Sequence, residues 1–148
     1  MRGERINSAL TEKALGLLDE MELGKRADDL PGVLSGGMRQ RVALARTLME
    51  DSELILMDEP FTALDSRTKL DMQILSARLL HGRTVVLVTH DLHEAVTMAD
   101  HLYRLEGSPA RIGSVNLPTA QKPLRDIDSM AVTRCVAELR QQMLRADA

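Results

Sequence analysis

Cysteine and aromatic residues are nearly absent from this chain of 148 residues. Cys135 is the only cysteine, so no internal disulfide can form, and this fits a reducing compartment. Phe61 and Tyr103 are the only aromatic residues, which excludes an aromatic platform for stacking single-stranded nucleic acid. The core must therefore be built from aliphatic side chains and the nine methionines.

Long apolar runs and a strong net charge are also absent. No run approaches the roughly 20 apolar residues of a membrane-spanning helix, and the first residues, MRGERINSAL, lack the apolar region of a secretory signal. The net charge of −3 offers no basic face, so no nucleic-acid partner is expected. With 44% hydrophobic and 28% charged residues, the composition is typical of a folded domain or part of one.

Helices and short strands are predicted to alternate along the chain. The strands at 54–57 and 84–89 are short and continuously apolar, which is typical of buried strands in a parallel sheet. Gly24 is predicted to cap the first helix, and Asp91 with Glu94 forms a capping-box pattern. The alternation predicts an α/β domain. The predicted helices cover about 8–23, 36–49, 66–81, 92–99 and 127–144, and two more short strands cover 102–105 and 111–115.

The sequence LSGGM at 34–38 places a hydroxyl and two unobstructed backbone N–H groups at the start of a predicted helix. A helix N-terminus carries free donors and partial positive charge, so Ser35, Gly36 and Gly37 are candidates for binding a phosphate. Taken alone, this short sequence is more often a simple helix cap than an anion site.

Acidic residues and a histidine follow the two predicted inner strands. Asp58 and Glu59 end LILMDEP, at the strand edge where ligands bind in open α/β sheets. Asp58 is a candidate ligand for Mg²⁺, directly or through water, and Glu59 a candidate general base. His90, in VTHD, is a candidate donor to a terminal phosphate. Each has an ordinary alternative: a solvated acidic turn for the carboxylates, and the start of the next helix for His90.

The order of these three motifs resembles the ABC ATPase family, and the resemblance runs from about Ala9 to Val115. LSGGMRQRVALARTL resembles the family signature and its helix, and LILMDEP resembles the Walker B strand with its glutamate. FTALD, which ends at Asp65, resembles the D-loop, and VTHD resembles the switch-histidine motif. Met38 stands where the family usually has Gln, a variant also familiar from importers of small solutes.

The resemblance implies an α/β fold, namely part of a P-loop NTPase (ABC ATPase) core with parallel strands and part of the helical signature subdomain. Residues 1–116 are expected to form this part, divided into the signature region 1–50 and the core 51–116. Residues 117–148 are expected to form a linker and a C-terminal helix.

The resemblance also implies site roles, with ATP and Mg²⁺ as the bound species. Asp58 supports Mg²⁺ and Glu59 serves as base. His90 senses the γ-phosphate, and Asp65 communicates across a dimer. A further set of residues clamps the γ-phosphate of an ATP held by the other subunit: Ser35, Gly36 and Gly37.

A transport-coupled ATPase subunit at the inner face of the cell membrane is the implied function. Its expected partners are a second ATPase subunit, a transmembrane permease and, indirectly, a periplasmic or extracellular solute-binding protein. The stretch 81–112 resembles the importers of nitrate, sulfonates, taurine and hydroxymethylpyrimidine, with the pyrimidine-precursor branch slightly preferred. The alternatives are a non-catalytic relic or interaction fragment of such a subunit, and a non-transport ABC ATPase.

The 148 residues contain no G-x-x-x-x-G-K-[ST] sequence, the loop that cradles phosphates. In the family this P-loop, the Q-loop and an adenine-stacking aromatic residue precede the signature. We therefore expect that Met1 corresponds to an internal methionine of a longer ancestor. We also expect that the isolated chain is poorly soluble, because unpaired strand edges promote aggregation, and that it has no ATPase activity.

Overall fold

The computed structural model describes residues 8–119 and 124–146. Within them it has five α-helices and four strands. Two short 3₁₀ helices, Gly24–Arg26 and Pro31–Val33, connect the first two α-helices. The α-helices are α1 (Ser8–Glu20), α2 (Gly36–Met49), α3 (Ser66–Leu79), α4 (Leu92–Met98) and α5 (Met130–Ala146). The strands are β1 (Leu54–Asp58), β2 (Thr84–Val88), β3 (Leu102–Glu106) and β4 (Arg111–Val115).

The main hydrophobic core lies where α2, α3 and β1 meet the segment after α1. Its most deeply buried side chains are Met21, Phe61 and Met72, all 0–1% exposed. Leu44 and Leu48 of α2 and Ile55 of β1 pack into the same cluster. α2 therefore presents one apolar face to this core.

β1 and β2 form a parallel pair in which Leu54 lies opposite Thr84 and Asp58 opposite Val88. This confirms the predicted parallel strands and the α/β class. Two sheets of two strands each form within residues 8–119 and 124–146, and the second, β3 with β4, is an antiparallel hairpin.

The prediction that both inner strands are buried is wrong for one face of the β1–β2 pair. Ile55 is buried, but Leu54, Leu56, Val86 and Val88 on the other face are 47–73% exposed. Apolar residues on both faces are typical of parallel sheets that are covered on both sides. The described residues supply a cover for only one of these faces.

A second, smaller core joins α4 and α5. Val132, Val136 and Leu139 of α5 pack with Val96, which is fully buried, and Cys135 lies in the same cluster.

The predicted boundary between residues 1–116 and 117–148 stays a prediction. The predicted connector at 117–125 lies partly outside the described residues. No helix in the described ranges is long and apolar enough to cross a membrane.

Several predicted boundaries need correction. α1 ends at Glu20 because Glu22 takes a left-handed conformation with φ of 59°, and Gly24 then starts a 3₁₀ helix instead of capping α1. α5 begins at Met130, not at Ile127. The capping box is only half formed: the Asp91 side chain accepts from the backbone N–H groups of His93 and Glu94, but the Asp91 N–H donates to Thr89 Oγ1.

Two neighbouring positions in β1 test this distribution of burial. We expect Ile55→Ala to lower the free energy of unfolding by about 2–5 kcal/mol, because it leaves a cavity in the core. Leu56→Ala removes a side chain that is 73% exposed, and we expect a change within about 0.5 kcal/mol. Urea unfolding followed by circular dichroism measures both. Equal losses for the two variants would contradict the one-sided burial of β1.

Candidate functional site

The site begins where β1 ends. Glu59 follows the last residue of β1, and its backbone N–H donates to the carbonyl oxygen of Val88 at 2.9 Å, so the ladder with β2 continues one step beyond the strand. Glu59 has a φ of 46°, a left-handed conformation that is unfavourable for a residue with a side chain. The chain therefore turns sharply at Glu59, and its carboxylate points to the segment that follows β2.

His90 and Thr62 hold the Glu59 carboxylate from two sides. His90 approaches Oε1 twice, through its backbone N–H at 3.0 Å and its ring Nδ1 at 2.7 Å. The Thr62 hydroxyl donates to Oε2 at 2.6 Å. Because a carboxylate only accepts hydrogen bonds, we assign the ring proton of His90 to Nδ1.

These hydrogen bonds favour the ionised form of Glu59. The hydroxyl of Thr62, and then the ring of His90, lower the pKa of the Glu59 carboxyl below its ordinary value, and the smaller effect of burial does not reverse this. Glu59 is therefore ionised at neutral pH and available as a hydrogen-bond acceptor for water.

Asp58 is the last residue of β1 and is exposed, so its carboxylate is open to solvent beside Glu59. In residues 8–119 and 124–146, no three His, Cys, Asp or Glu side chains form a group that could hold a metal ion alone. The exposed Asp58 carboxylate fits Mg²⁺, which proteins commonly bind through one or two carboxylates together with substrate phosphates and water. It does not fit a closed metal site made only of protein ligands.

Ser35 caps α2, as predicted from the sequence. Its Oγ accepts from the backbone N–H of Met38 at 3.3 Å, and Ser35 and Gly36 are exposed. The Met38 side chain packs against the main core. A methionine at this position therefore contributes packing, while the polar groups at the start of α2 stay accessible.

Gly37 brings the start of α2 against the start of α3. A Cβ atom at Gly37 would lie 2.7 Å from Cγ2 of Thr68, which is closer than atoms of this kind approach. Asp65 caps α3 by accepting from the backbone N–H of Thr68 at 3.1 Å. The hydrogen bonds from Thr68 and from neighbouring backbone groups lower the pKa of Asp65. Thr68 therefore contacts two of the predicted site residues, Gly37 through its methyl group and Asp65 through its backbone N–H.

Gln40 connects α2 with the turn that contains Glu59. Its side-chain nitrogen donates to the backbone carbonyl of Pro60, the residue after Glu59. Sequence reasoning assigned no role to Gln40, Thr62 or Thr68. The positions of Thr62 and Thr68, each three residues after a predicted acidic site residue, are the only sequence signal that would have suggested them.

The structure brings some predicted site residues together directly and others only through intermediates. Glu59 and His90 share hydrogen bonds, and Gly37 and Asp65 both contact Thr68. Among residues 8–119, no hydrogen bond joins Ser35 to His90. Within the described residues, the hydrogen bond from Gln40 to the Pro60 carbonyl connects α2 with the Glu59 turn.

An ABC transporter model matches residues 3–62 of the chain. The aliphatic sulfonates import ATP-binding protein SsuB 1 of Agrobacterium fabrum is 46% identical over 125 residues, which are 82% of this chain and 45% of that protein. SsuB of Yersinia pestis is 46% identical over 75% of this chain and 42% of its own length. The chain thus spans about half or less of the curated relatives it matches.

Solved structures agree with these relatives. The inward-facing conformation of a putative metal-chelate type ABC transporter matches with a TM-score of 0.67 and 28% identity, over 77% of this chain and 46% of that chain. A dimeric ATP-binding cassette bound to ADP and Pi matches with a TM-score of 0.52 and 42% identity, over 64% of this chain and 42% of that chain.

The parallel strand pair with its strand-end acids is therefore part of an α/β domain of the P-loop NTPase class. Within that class, the sequence motifs, the sulfonate-importer relatives and the solved cassettes lead to one conclusion. The chain belongs to the family of ABC transporter ATP-binding proteins.

The contact between Gly37 and Thr68 gives a test at the start of α2. We expect Gly37→Ala to destabilise the fold, because the new methyl group meets Thr68 Cγ2, and we expect Thr68→Ser to rescue it by removing that atom. Gly36→Ala is the matched control: apart from its chain neighbours and its own helix backbone, no atom lies within 4 Å of a Cβ at this position, and alanine favours a helix over glycine by about 1 kcal/mol. Thermal unfolding measures all three, and a Gly37→Ala variant as stable as Gly36→Ala would contradict the contact.

The hydrogen bond from Thr62 gives a test of the ionisation of Glu59. Thr62→Val removes the largest cause of its lowered pKa, so that pKa should rise toward its ordinary value. A lowered pKa stabilises the fold above the ordinary pKa, and this contribution is lost as the pH falls through the lowered value. Carboxyl ¹³C NMR titration measures the pKa, with Thr47→Val as control because that hydroxyl donates to Ala43 within α2. An unchanged Glu59 pKa in Thr62→Val would contradict the assignment.

Proposed function

We propose that the chain supplies one part of an ATP-hydrolysing site in an ABC importer of small solutes. The arrangement of Glu59, His90 and Thr62 at the carboxyl end of a parallel strand pair carries this proposal. ATP is the substrate and Mg²⁺ the metal that neutralises phosphate charge when it is bound.

Glu59 accepts a proton from the attacking water in the proposed mechanism. Its carboxylate is ionised, and Thr62 and His90 fix its orientation, so no reorganisation is needed before it binds water. His90 directs Nδ1 to Glu59 and is itself exposed, so in its imidazolium form, in which both ring nitrogens carry a proton, Nε2 donates to a phosphate oxygen. Asp58, beside Glu59 at the strand end, holds Mg²⁺ directly or through water.

The start of α2 serves a different nucleotide in the proposal. The N-terminus formed by Ser35, Gly36 and Gly37, of which the first two are exposed, has backbone donors that suit the γ-phosphate of an ATP held by the other subunit of a dimer. Asp65 lies at the neighbouring helix start and relates the two sites across that dimer.

The proposed site is incomplete without a P-loop from another polypeptide segment. Phosphoryl transfer depends on holding the phosphates and Mg²⁺ in position, and the 148 residues contain no such loop. The uncovered apolar face of β1 and β2 supports this need, because parallel strands are normally covered on both faces. By itself the chain is expected to be poorly soluble and inactive.

The similarity to aliphatic sulfonates import proteins supports aliphatic sulfonates as the solute class. This replaces the pyrimidine precursors that the sequence alone slightly favoured. The proposed partners are a second ATPase subunit, a transmembrane permease and, indirectly, a solute-binding protein outside the membrane. The chain then acts at the cytoplasmic face of the membrane. The alternative is a non-catalytic fragment of such a subunit, with which the uncovered apolar face of β1 and β2 is also compatible.

Co-expression tests the proposal. The full 148-residue chain is produced with a polypeptide that carries the P-loop part of a sulfonate-importer ATP-binding protein, and Mg-ATP turnover is measured for each alone and for both together. We expect turnover only from the pair, and we expect Glu59→Gln to lower it about 10²–10⁴-fold, the usual contribution of a general base. Glu53→Gln is the matched control, because the Glu53 side chain is exposed and its backbone carbonyl, which the substitution keeps, accepts from the backbone N–H of Thr84.

Two results would overturn the proposal. One is turnover by the 148-residue chain alone that Glu59→Gln leaves unchanged. The other is a stable co-purified pair that binds ATP but does not hydrolyse it, which would favour the non-catalytic fragment.

A further inference from the structure

A polar cluster lies between α3 and α4, apart from the groups assigned to the site. It consists of Lys69 and Gln73 on α3, with Asp91 and Glu94 at the start of α4. Glu94 is only 2% exposed, and a buried carboxylate is costly unless a cation and hydrogen bonds compensate for its lost hydration.

Lys69 is the cation that holds this cluster together. Its Nζ lies 2.6 Å from Asp91 Oδ2 and 3.0 Å from Glu94 Oε2. Gln73 approaches the same Glu94 oxygen at 3.5 Å, while Glu94 Oε1 is buried without a hydrogen-bond partner among the described residues. Lys69 is therefore the only charged compensation that the described part of the chain gives to Glu94.

The two ends of the cluster adjoin the proposed site. Asp91 directly follows His90, and its Oδ1 accepts from the backbone N–H groups of His93 and Glu94. On α3, the backbone N–H of Lys69 donates to the carbonyl of Asp65 at 2.8 Å, so Lys69 lies in the first turn after the cap. One side chain thus connects the start of α3 with the start of α4.

Charge keeps this connection in place. Burial lowers the pKa of Lys69, but the carboxylates of Asp91 and Glu94 outweigh this effect, and the net change is upward. Burial raises the pKa of Asp91, but Lys69 and the backbone donors outweigh it, and the net change is downward. Both partners are therefore ionised at neutral pH.

We propose that Lys69 is a positioning residue: by holding Asp91, it fixes the backbone at His90 so that His90 meets the carboxylate of Glu59. The argument rests on two successive contacts, Lys69 with Asp91 at 2.6 Å and the backbone N–H of His90 with Glu59 Oε1 at 3.0 Å. A contribution of Lys69 to catalysis rests on the proposed function, whereas the two contacts do not depend on it.

A purely structural role for Lys69 makes a different prediction. If Lys69 only neutralises the buried Glu94, then removing both charges together should restore the protein completely, since buried ion pairs are often replaceable by neutral residues. If Lys69 positions Asp91, the double change restores stability but not the contact between His90 and Glu59.

Histidine ring NMR separates the two roles. The full chain, labelled with ¹⁵N at its four histidines and carried on a cleavable solubility tag, reports whether the His90 proton resides on Nδ1. Lys69→Met/Glu94→Gln removes the ion pair, and Lys69→Arg keeps the charge. Asp91→Asn keeps a helix cap of equal quality but removes the carboxylate that faces Lys69. Lys25→Met, at an exposed lysine, is the control, and His90→Gln assigns the signal.

We expect the wild type, Lys69→Arg and Lys25→Met to show His90 protonated on Nδ1. We expect Lys69→Met/Glu94→Gln and Asp91→Asn to lose this signature while their unfolding temperatures stay close to that of the wild type. Should the double variant unfold, Asp91→Asn alone decides the question. Retention of the signature in a folded Lys69→Met/Glu94→Gln or Asp91→Asn variant would overturn the proposal.

The outcome is independent of the proposed function. Glu59→Ala should also abolish the Nδ1 signature, because it removes the oxygen that accepts from Nδ1, and this verifies that the signal reports the pair. If the Lys69 variants behave as expected and the co-expressed pair shows no turnover, the proposed function fails and the positioning role stands. If turnover depends on Glu59 but the signature survives in the Lys69→Met/Glu94→Gln variant, only the positioning role fails.

Discussion

The parallel register of β1 and β2 is the constraint on which the site depends. Because Asp58 lies opposite Val88, the backbone N–H of Glu59 donates to the carbonyl of Val88, and the residues after both strands leave the sheet side by side. His90 then reaches Glu59 although the two are 31 positions apart in the chain. A shift of one residue would turn the side chains of a strand to the opposite face and separate this pair.

The starts of three helices are arranged around this strand end. Ser35, Asp65 and Asp91 cap α2, α3 and α4, and specific contacts relate one cap to the next. Close packing of Gly37 on Thr68 joins the first two, and the ion pairs of Lys69 join the last two. Each cap satisfies local backbone donors at the start of its own helix.

Local patterns predicted part of the fold well and part of it poorly. The bounds of α2 at Gly36 and Met49 were predictable because a serine cap and an apolar stripe are encoded within the helix itself. The end of α1 was not, because Glu22 takes a left-handed conformation that is uncommon for its residue type. The prediction that β1 is buried was wrong at Leu56. Apolar composition indicates that a sheet face needs a cover, but it does not show whether the described residues provide one.

The sequence by itself determined the order of the motifs. It also identified Asp58, Glu59 and His90 as groups at strand ends, and Ser35 as a helix cap. This was possible because strand periodicity and capping are properties of short segments. Only the tertiary structure decided which of these groups meet. Gln40 and Lys69 act through distances set by the packing of separate elements, and no spacing along the chain encodes such distances.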